Sequence, residues 1–187
     1  KVVYGITTGF GKFSDVVISQ EQCKELQRNL IITHAVGAGD PFPIDVARGV
    51  MLLRINNLVK GFSGIRLETV ETMVNMLNKV TAFIPQKGSL GASGDLAPLS
   101  HMVLPMIGLG MAYYEGELLP GAEAMKRAGI PTIELSAKEG LALNNGTQAL
   151  TAAGALALYD VLKLVKVADI ADALCFEAQN GVVDALD

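Results

Sequence analysis

The chain has 187 residues, with 15 basic and 19 acidic side chains, a net charge of -4, half its residues apolar and only 18% charged. That composition excludes a disordered segment, which needs low hydrophobicity and high charge, and it excludes a basic nucleic-acid-binding module. Twenty glycines without a G-X-Y period exclude collagen, and two cysteines, Cys23 and Cys175, cannot frame a disulfide-rich secreted domain.

The charge is sparse for a small soluble monomer, so apolar surface is expected to be covered by further sequence or by other copies of the chain. The start at Lys1 and the unpunctuated end at 182–187 read as a piece of a longer protein. No charged-then-apolar signal opens the chain, so the cytoplasm is the expected compartment.

Residues 1–16 carry Tyr4-Gly5-Ile6-Thr7-Thr8-Gly9-Phe10-Gly11, too many glycines for a helix or a regular strand, and read as a loop. A helix is predicted from Ser19 as N-cap, with Cys23, Leu26, Leu30 and His34 on one face; Gly37, Gly39, Pro41 and Pro43 end it. Further helices are predicted at 44–60 and 68–79, the latter with Val70, Met73, Val74 and Leu77 inward. The apolar window 96–114 is long enough to span a bilayer, but Pro98, His101, Pro105, Gly108 and Gly110 make it a buried core helix, and no membrane partner is expected. Residues 113–120 suggest a hairpin around Gly116, and 122–128 a short helix. From Lys138 the pattern is helical again; 148–174 is Ala- and Leu-rich nearly all round and should be buried in a bundle. Strand signals are few, so the class is mainly α with a minor β-hairpin.

His34 and His101 stand in no metal-ligand spacing, and no phosphate-binding glycine motif occurs, so no metal or nucleotide is expected. The distinctive segment is Gly91-Ala92-Ser93-Gly94-Asp95. One reading is a glycine-rich turn whose Ser93 or Asp95 caps the next helix. The other is backbone cyclisation. The unhindered nitrogen of Gly94 attacks the carbonyl carbon of Ala92; loss of water closes a five-membered ring, and loss of the Ser93 hydroxyl leaves an exocyclic methylidene. That chemistry needs a small residue, then Ser, then Gly, in a bend that larger side chains would obstruct. A helix starting near Asp95 would aim its N–H groups at the ring and strengthen the electrophile. His34 likewise has two readings, a core histidine bonded to a carbonyl or a ligand contact.

Five ordered blocks carry a resemblance. Gly88-Ser-Leu-Gly-Ala-Ser-Gly-Asp-Leu-Ala-Pro-Leu-Ser-His101 resembles the signature of the aromatic amino acid ammonia-lyases, which make 4-methylideneimidazole-5-one (MIO) from Ala-Ser-Gly. Tyr4-Gly-Ile-Thr-Thr-Gly-Phe-Gly11 is similar to their tyrosine loop, and Leu26-Gln-Arg-Asn-Leu-Ile-Ile-Thr-His-Ala35 to their selectivity helix. Lys60-Gly-Phe-Ser-Gly-Ile-Arg66 and Glu139-Gly-Leu-Ala-Leu-Asn-Asn-Gly-Thr-Gln148 are similar to two further blocks.

The resemblance implies an MIO group from Ala92, Ser93 and Gly94, needing no external cofactor. It implies an aspartase-like helical bundle, with an MIO-bearing N-terminal domain over about 1–137 and the start of the central bundle over about 138–187. It implies Tyr4 as the base that removes the β-proton and Asn145 as a group orienting substrate amine and MIO oxygen. Asp95 either assists dehydration during ring formation or caps the helix. Arg66 is expected in a structural ion pair or a helix-end contact. Phenylalanine members carry Phe-Leu at the selectivity pair, tyrosine members His-Leu and histidine members Ser-His. Thr33-His34 therefore implies deamination of L-histidine to trans-urocanate and ammonia. The alternatives are another MIO enzyme, whether a phenylalanine or tyrosine lyase or a 2,3-aminomutase, and an uncyclised helical oligomerisation fragment. Family members are longer homotetramers whose sites borrow residues from the following half and from neighbouring subunits, including an arginine for the substrate carboxylate.

Overall fold

A computed structural model describes residues 2–90 and 94–186. The mainly α class is borne out: helices dominate, with two small antiparallel sheets among the described residues. Contacts divide the chain into two compact units, 1–152 and 153–187, so that residues 138–152 belong with those before them.

In the first unit, helix α1 (Gln20–His34) opens with a reciprocal capping box. The Ser19 hydroxyl accepts from Gln22 N at 3.3 Å, and the Gln22 side chain accepts from Ser19 N at 3.2 Å. Such a cap stabilises a helix by about 1 kcal/mol. Strand β1 (Ala38–Pro41) follows, then α2 (Ile44–Leu58) and α3 (Leu67–Lys79). Of the α3 residues predicted inward, Val70 and Met73 are buried and Leu77 packs partly buried against the core, whereas Val74 is exposed and Met76 is buried in addition. Strands β2 (Val80–Ala82) and β3 (Pro85–Lys87) come next; β3 pairs with β1.

The window 96–114 is not one helix. It divides into α4 (Leu96–Val103), a 3-10 turn (Leu104–Ile107) and strand β4 (Met111–Tyr114). Pro105 has no N–H to continue the α-helical ladder, and Gly108, at φ 76°, takes the left-handed conformation that ends the turn. The hairpin is present, with β4 pairing with β5 (Glu117–Pro120) across Glu115 and Gly116, both at positive φ as a tight hairpin turn requires. β2 adds to the other edge of β4. Helices α5 (Gly121–Arg127) and α6 (Glu139–Asn144) lead to the long α7 (Gln148–Ala178).

The core of this unit gathers Ile31 of α1, Met51 and Leu58 of α2, Met73 and Met76 of α3, Leu99 and Met102 of α4, Met125 of α5 and Leu143 of α6. In the second unit the expected burial of 148–174 is not met within the chain. Only Ala149 and Ala152 of α7 are buried, both in the first unit, while Leu158, Leu162, Leu164 and Ile170 are each more than half exposed. A helix apolar all round needs neighbours on every side, and a lone helical segment supplies none.

Candidate active site

A cleft of ≈ 770 Å³ runs between the N-terminal segment, α1 and the start of α4. Its α1 wall follows from helical geometry. Cys23, Gln27 and Ile31 turn into the core, and the adjoining stripe of Leu26, Asn29, Leu30, Thr33 and His34 lines the cleft. The single predicted face is thus two, with His34 on the open one. His34 Nδ1 lies 2.8 Å from Leu30 O. A carbonyl only accepts, so Nδ1 carries the proton in that bond, and in the neutral ring Nε2 is the acceptor. The Thr33 hydroxyl donates to Asn29 O at 2.8 Å, so toward a ligand it is an acceptor.

The opposite wall is the N-terminal segment, where Tyr4, Phe10 and Phe13 reach the cleft. The Tyr4 ring meets Phe10 edge-on at 5.8 Å between centroids, and its oxygen accepts from Gly11 N at 3.1 Å. Gly5 and Gly11 are at φ 70° and 55°, which lets the segment fold back on itself.

Asn145 is placed by α6, which is held at several points. Gln27 of α1 accepts from Gly140 N at 3.0 Å, and a Cβ at Gly140 would come within 3.0 Å of Gln27 O, so glycine permits the approach. Glu139 is buried and takes hydrogen bonds from Thr69 Oγ1 at 2.7 Å, Ser136 N at 2.7 Å and the Arg66 backbone and guanidinium. Burial pushes the Glu139 carboxyl up, but the bonds from Arg66, Ser136 and Thr69 outweigh it and hold it below its ordinary range; Arg66 is raised in turn. The expected ion pair of Arg66 is present. Asn144, fully buried, donates to Ser100 Oγ of α4 at 3.2 Å.

The segment leading into α4 is pinched at its base. The Ser89 hydroxyl donates to Asp95 Oδ1 at 2.7 Å across six residues, while Leu90 stands almost wholly exposed. Asp95 does not cap its own helix: its Oδ2 accepts from Leu150 N at 2.8 Å, one of the free N–H groups in the first turn of α7. Asp95 N donates to Gly146 O at 2.6 Å. Ala92 and Ser93 lie outside the described residues. Gly94 is described, and it tests whether a cyclised tripeptide fits. It is buried at φ 136°, and a Cβ there would lie 2.8 Å from Gly146 N and 2.9 Å from Asn145 Oδ1. Only glycine fits, its neighbour is the asparagine expected to serve the ring, and the bend is closed at its base, so the residues present suit the group.

The structure therefore brings Tyr4, Thr33, His34 and Asn145 to one cleft, with Gly94 and Asp95 packed behind Asn145. Periodicity did not reveal the core anchors Gln27 and Glu139, whose partners are 113 and up to 73 residues away. It also passed over Arg54, buried in α2 and held by Ala142 O and by Gln148 Oε1, the latter at 3.0 Å. Asn29 and Phe10 were missed as well, although the i, i+3, i+4 stripe beside Leu26 could have shown Asn29.

A helical fold with this cleft defines a class, and the comparison agrees: the family model for aromatic amino acid lyase matches residues 1–187, and the chain belongs to that family. Over its whole length the chain is 64% identical to the histidine ammonia-lyase of Alkaliphilus metalliredigens, and it spans 37% of that protein. Among solved structures, histidine ammonia-lyase from Trypanosoma cruzi matches at TM-score 0.92 and 40% identity, over 100% of this chain and 36% of that one. Phenylalanine aminomutase from Pantoea agglomerans matches at TM-score 0.80 and 40% identity, over 87% of this chain and 31% of that one.

Proposed function

We propose that the protein deaminates L-histidine without oxidation, giving trans-urocanate and ammonia, through an MIO group formed from Ala92, Ser93 and Gly94. The observation that carries this reading is the convergence of Tyr4, His34 and Asn145 on one cleft with Gly94 behind it. The 64% identity to a histidine ammonia-lyase favours histidine; the two solved structures, equal in identity, do not separate a lyase from an aminomutase.

The ring supplies an electrophile for the substrate amine, which makes nitrogen a better leaving group. The chain's own residues do the rest. His34 Nε2 accepts the N–H of the substrate imidazole and so aligns the side chain along α1. Asn145 orients the amine by hydrogen bonding. Acting as its phenolate, the Tyr4 oxygen takes the β-proton as the Cα–N bond breaks and the double bond forms; the Gly11 N–H donates to that same oxygen and holds it in place. Phe10 and the surrounding apolar lining keep water away.

Assembly into a homotetramer is part of the proposal, supported by the uncovered apolar side chains of α7. The free thiols of Cys23 and Cys175 support a reducing, cytoplasmic setting. The full-length protein incubated separately with L-histidine, L-phenylalanine and L-tyrosine tests the reading. Urocanate from histidine is the expected product; cinnamates or β-amino acids in its place overturn the substrate assignment.

A further inference from the structure

Arg54 is a buried cation, 3% exposed, with no carboxylate within ion-pair distance among the described residues. Its Nε has no hydrogen-bond partner there, and burial lowers its pKa to about 10. An unpaired buried guanidinium is costly, and a lysine or an apolar side chain would avoid part of that cost. Its surroundings show what it holds. From α2, one nitrogen donates to Ala142 O near the end of α6 and the other to Gln148 Oε1 at the start of α7. Those partners flank the turn Asn145-Gly146-Thr147. A methyl group on Gly146 would collide with Arg54 Nη1 and Gln148 Oε1, and a Cβ on Gly94 would come within 3.0 Å of Gly146 N and O. The Gly146 backbone is thus packed closely against both the guanidinium and the residue whose nitrogen closes the ring.

Resting on the MIO reading above, we propose that Arg54 is a positioning residue: by clamping the 145–147 turn it fixes Gly94 for ring closure and sets Asn145 at the cleft. The step it serves is balanced within the chain. The Gly94 N–Ala92 C bond forms, the carbonyl oxygen leaves as water, and the Ser93 hydroxyl leaves with its α-hydrogen as a second water.

The test follows intact mass over time after synthesis of the full-length protein, for wild type, Arg54→Met, Arg54→Lys and Gln148→Met, with thermal midpoints measured in parallel. Met125→Ala, a core deletion in α5, serves as a control for destabilisation alone. Loss of both waters should be about 10- to 100-fold slower in Arg54→Met, as expected for a reacting group displaced by an ångström. Arg54→Lys should recover part of that rate, Gln148→Met should be slowed less than Arg54→Met, and Met125→Ala should mature at the wild-type rate. If Arg54→Met does not fold, Gln148→Met decides, because it removes one bond and leaves the guanidinium in place. Maturation at the wild-type rate in the folded clamp variant overturns the proposal. A wild-type chain that keeps both waters overturns the MIO reading instead, so the two failures are told apart.

Discussion

The two walls of the cleft are built to different standards. On the α4–α6 side, Gly94, Asp95, Asn144 and Glu139 are buried, and Asp95, Asn144 and Glu139 are held by hydrogen bonds to distant elements. On the N-terminal side, Tyr4 is half exposed and its oxygen has a single backbone bond, while Phe13 and Val17 face solvent. The contrast matches two chemical demands. Forming a ring from backbone requires atoms fixed to a fraction of an ångström, which a packed, hydrogen-bonded interior provides. Removing a proton requires a side chain that can close on a substrate and withdraw, which a glycine-punctuated segment allows.

The sharpest way to break this comparison is to remove the Tyr4 oxygen. Tyr4→Phe keeps the edge-on contact with Phe10 and loses one exposed hydrogen bond, so stability should change by no more than about 0.5 kcal/mol. The rate of urocanate formation by the full-length protein should fall about 10²- to 10⁴-fold, the range for loss of a positioned acid–base group. Steady-state kinetics and thermal unfolding on the same sample check both halves. A Tyr4→Phe protein that loses stability but not turnover would reverse the assignment of the loose wall.

Glu139 probes the other wall, where the expected effect is on folding. Glu139→Ala leaves Ser136 N, Thr69 Oγ1 and the Arg66 donors without their acceptor. Breaking a buried pair costs about 3–5 kcal/mol, but Arg66 is 42% exposed and can rehydrate, so about 2–3 kcal/mol is expected in denaturant unfolding. The pH dependence has a definite sign. The folded carboxyl lies below its ordinary value of 4.5, so its contribution is present above that value and is lost as pH falls through the folded one. The acid limb of the wild-type stability curve should therefore flatten in the variant.

How much of this could be read from the chain follows the same division. The α1 cap at Ser19, the hairpin at Gly116 and the ends of α2 and α3 are local decisions, made by residues within a few positions, and they are legible. The site residues that the family resemblance marks, Tyr4, Thr33, His34 and Asn145, do reach one cleft. What stayed hidden is long-range. Asp95 looks like the cap of the helix it precedes, yet its carboxylate serves α7, 55 residues onward. The break at Pro105 was legible as a proline but was outweighed by the hydrophobicity around it. Arg54 in α2 reads as one more helix-compatible residue until Ala142 and Gln148 are brought to it.

The smallest effect tests the seam between α4 and the end of α1. His101 of α4 accepts from Gly37 N, just past α1, at 2.9 Å through Nε2, so this bond exists only while that nitrogen is unprotonated. A Cβ at Gly37 would come within 2.9 Å of the same nitrogen, so the approach is as tight as glycine allows. Burial holds the His101 imidazole below its ordinary value of 6.5. The sign follows: the unfolded chain takes up a proton first, so the stabilisation is complete above 6.5 and is lost as pH falls below it through the folded value. Against His101→Gln, whose amide oxygen can still accept from Gly37, wild-type stability should decline more steeply between pH 7 and pH 5.5. Urea unfolding across that range measures it. Parallel curves for the two proteins would mean that the imidazole does not join α1 to α4, and that the cleft's ordered wall ends short of His34.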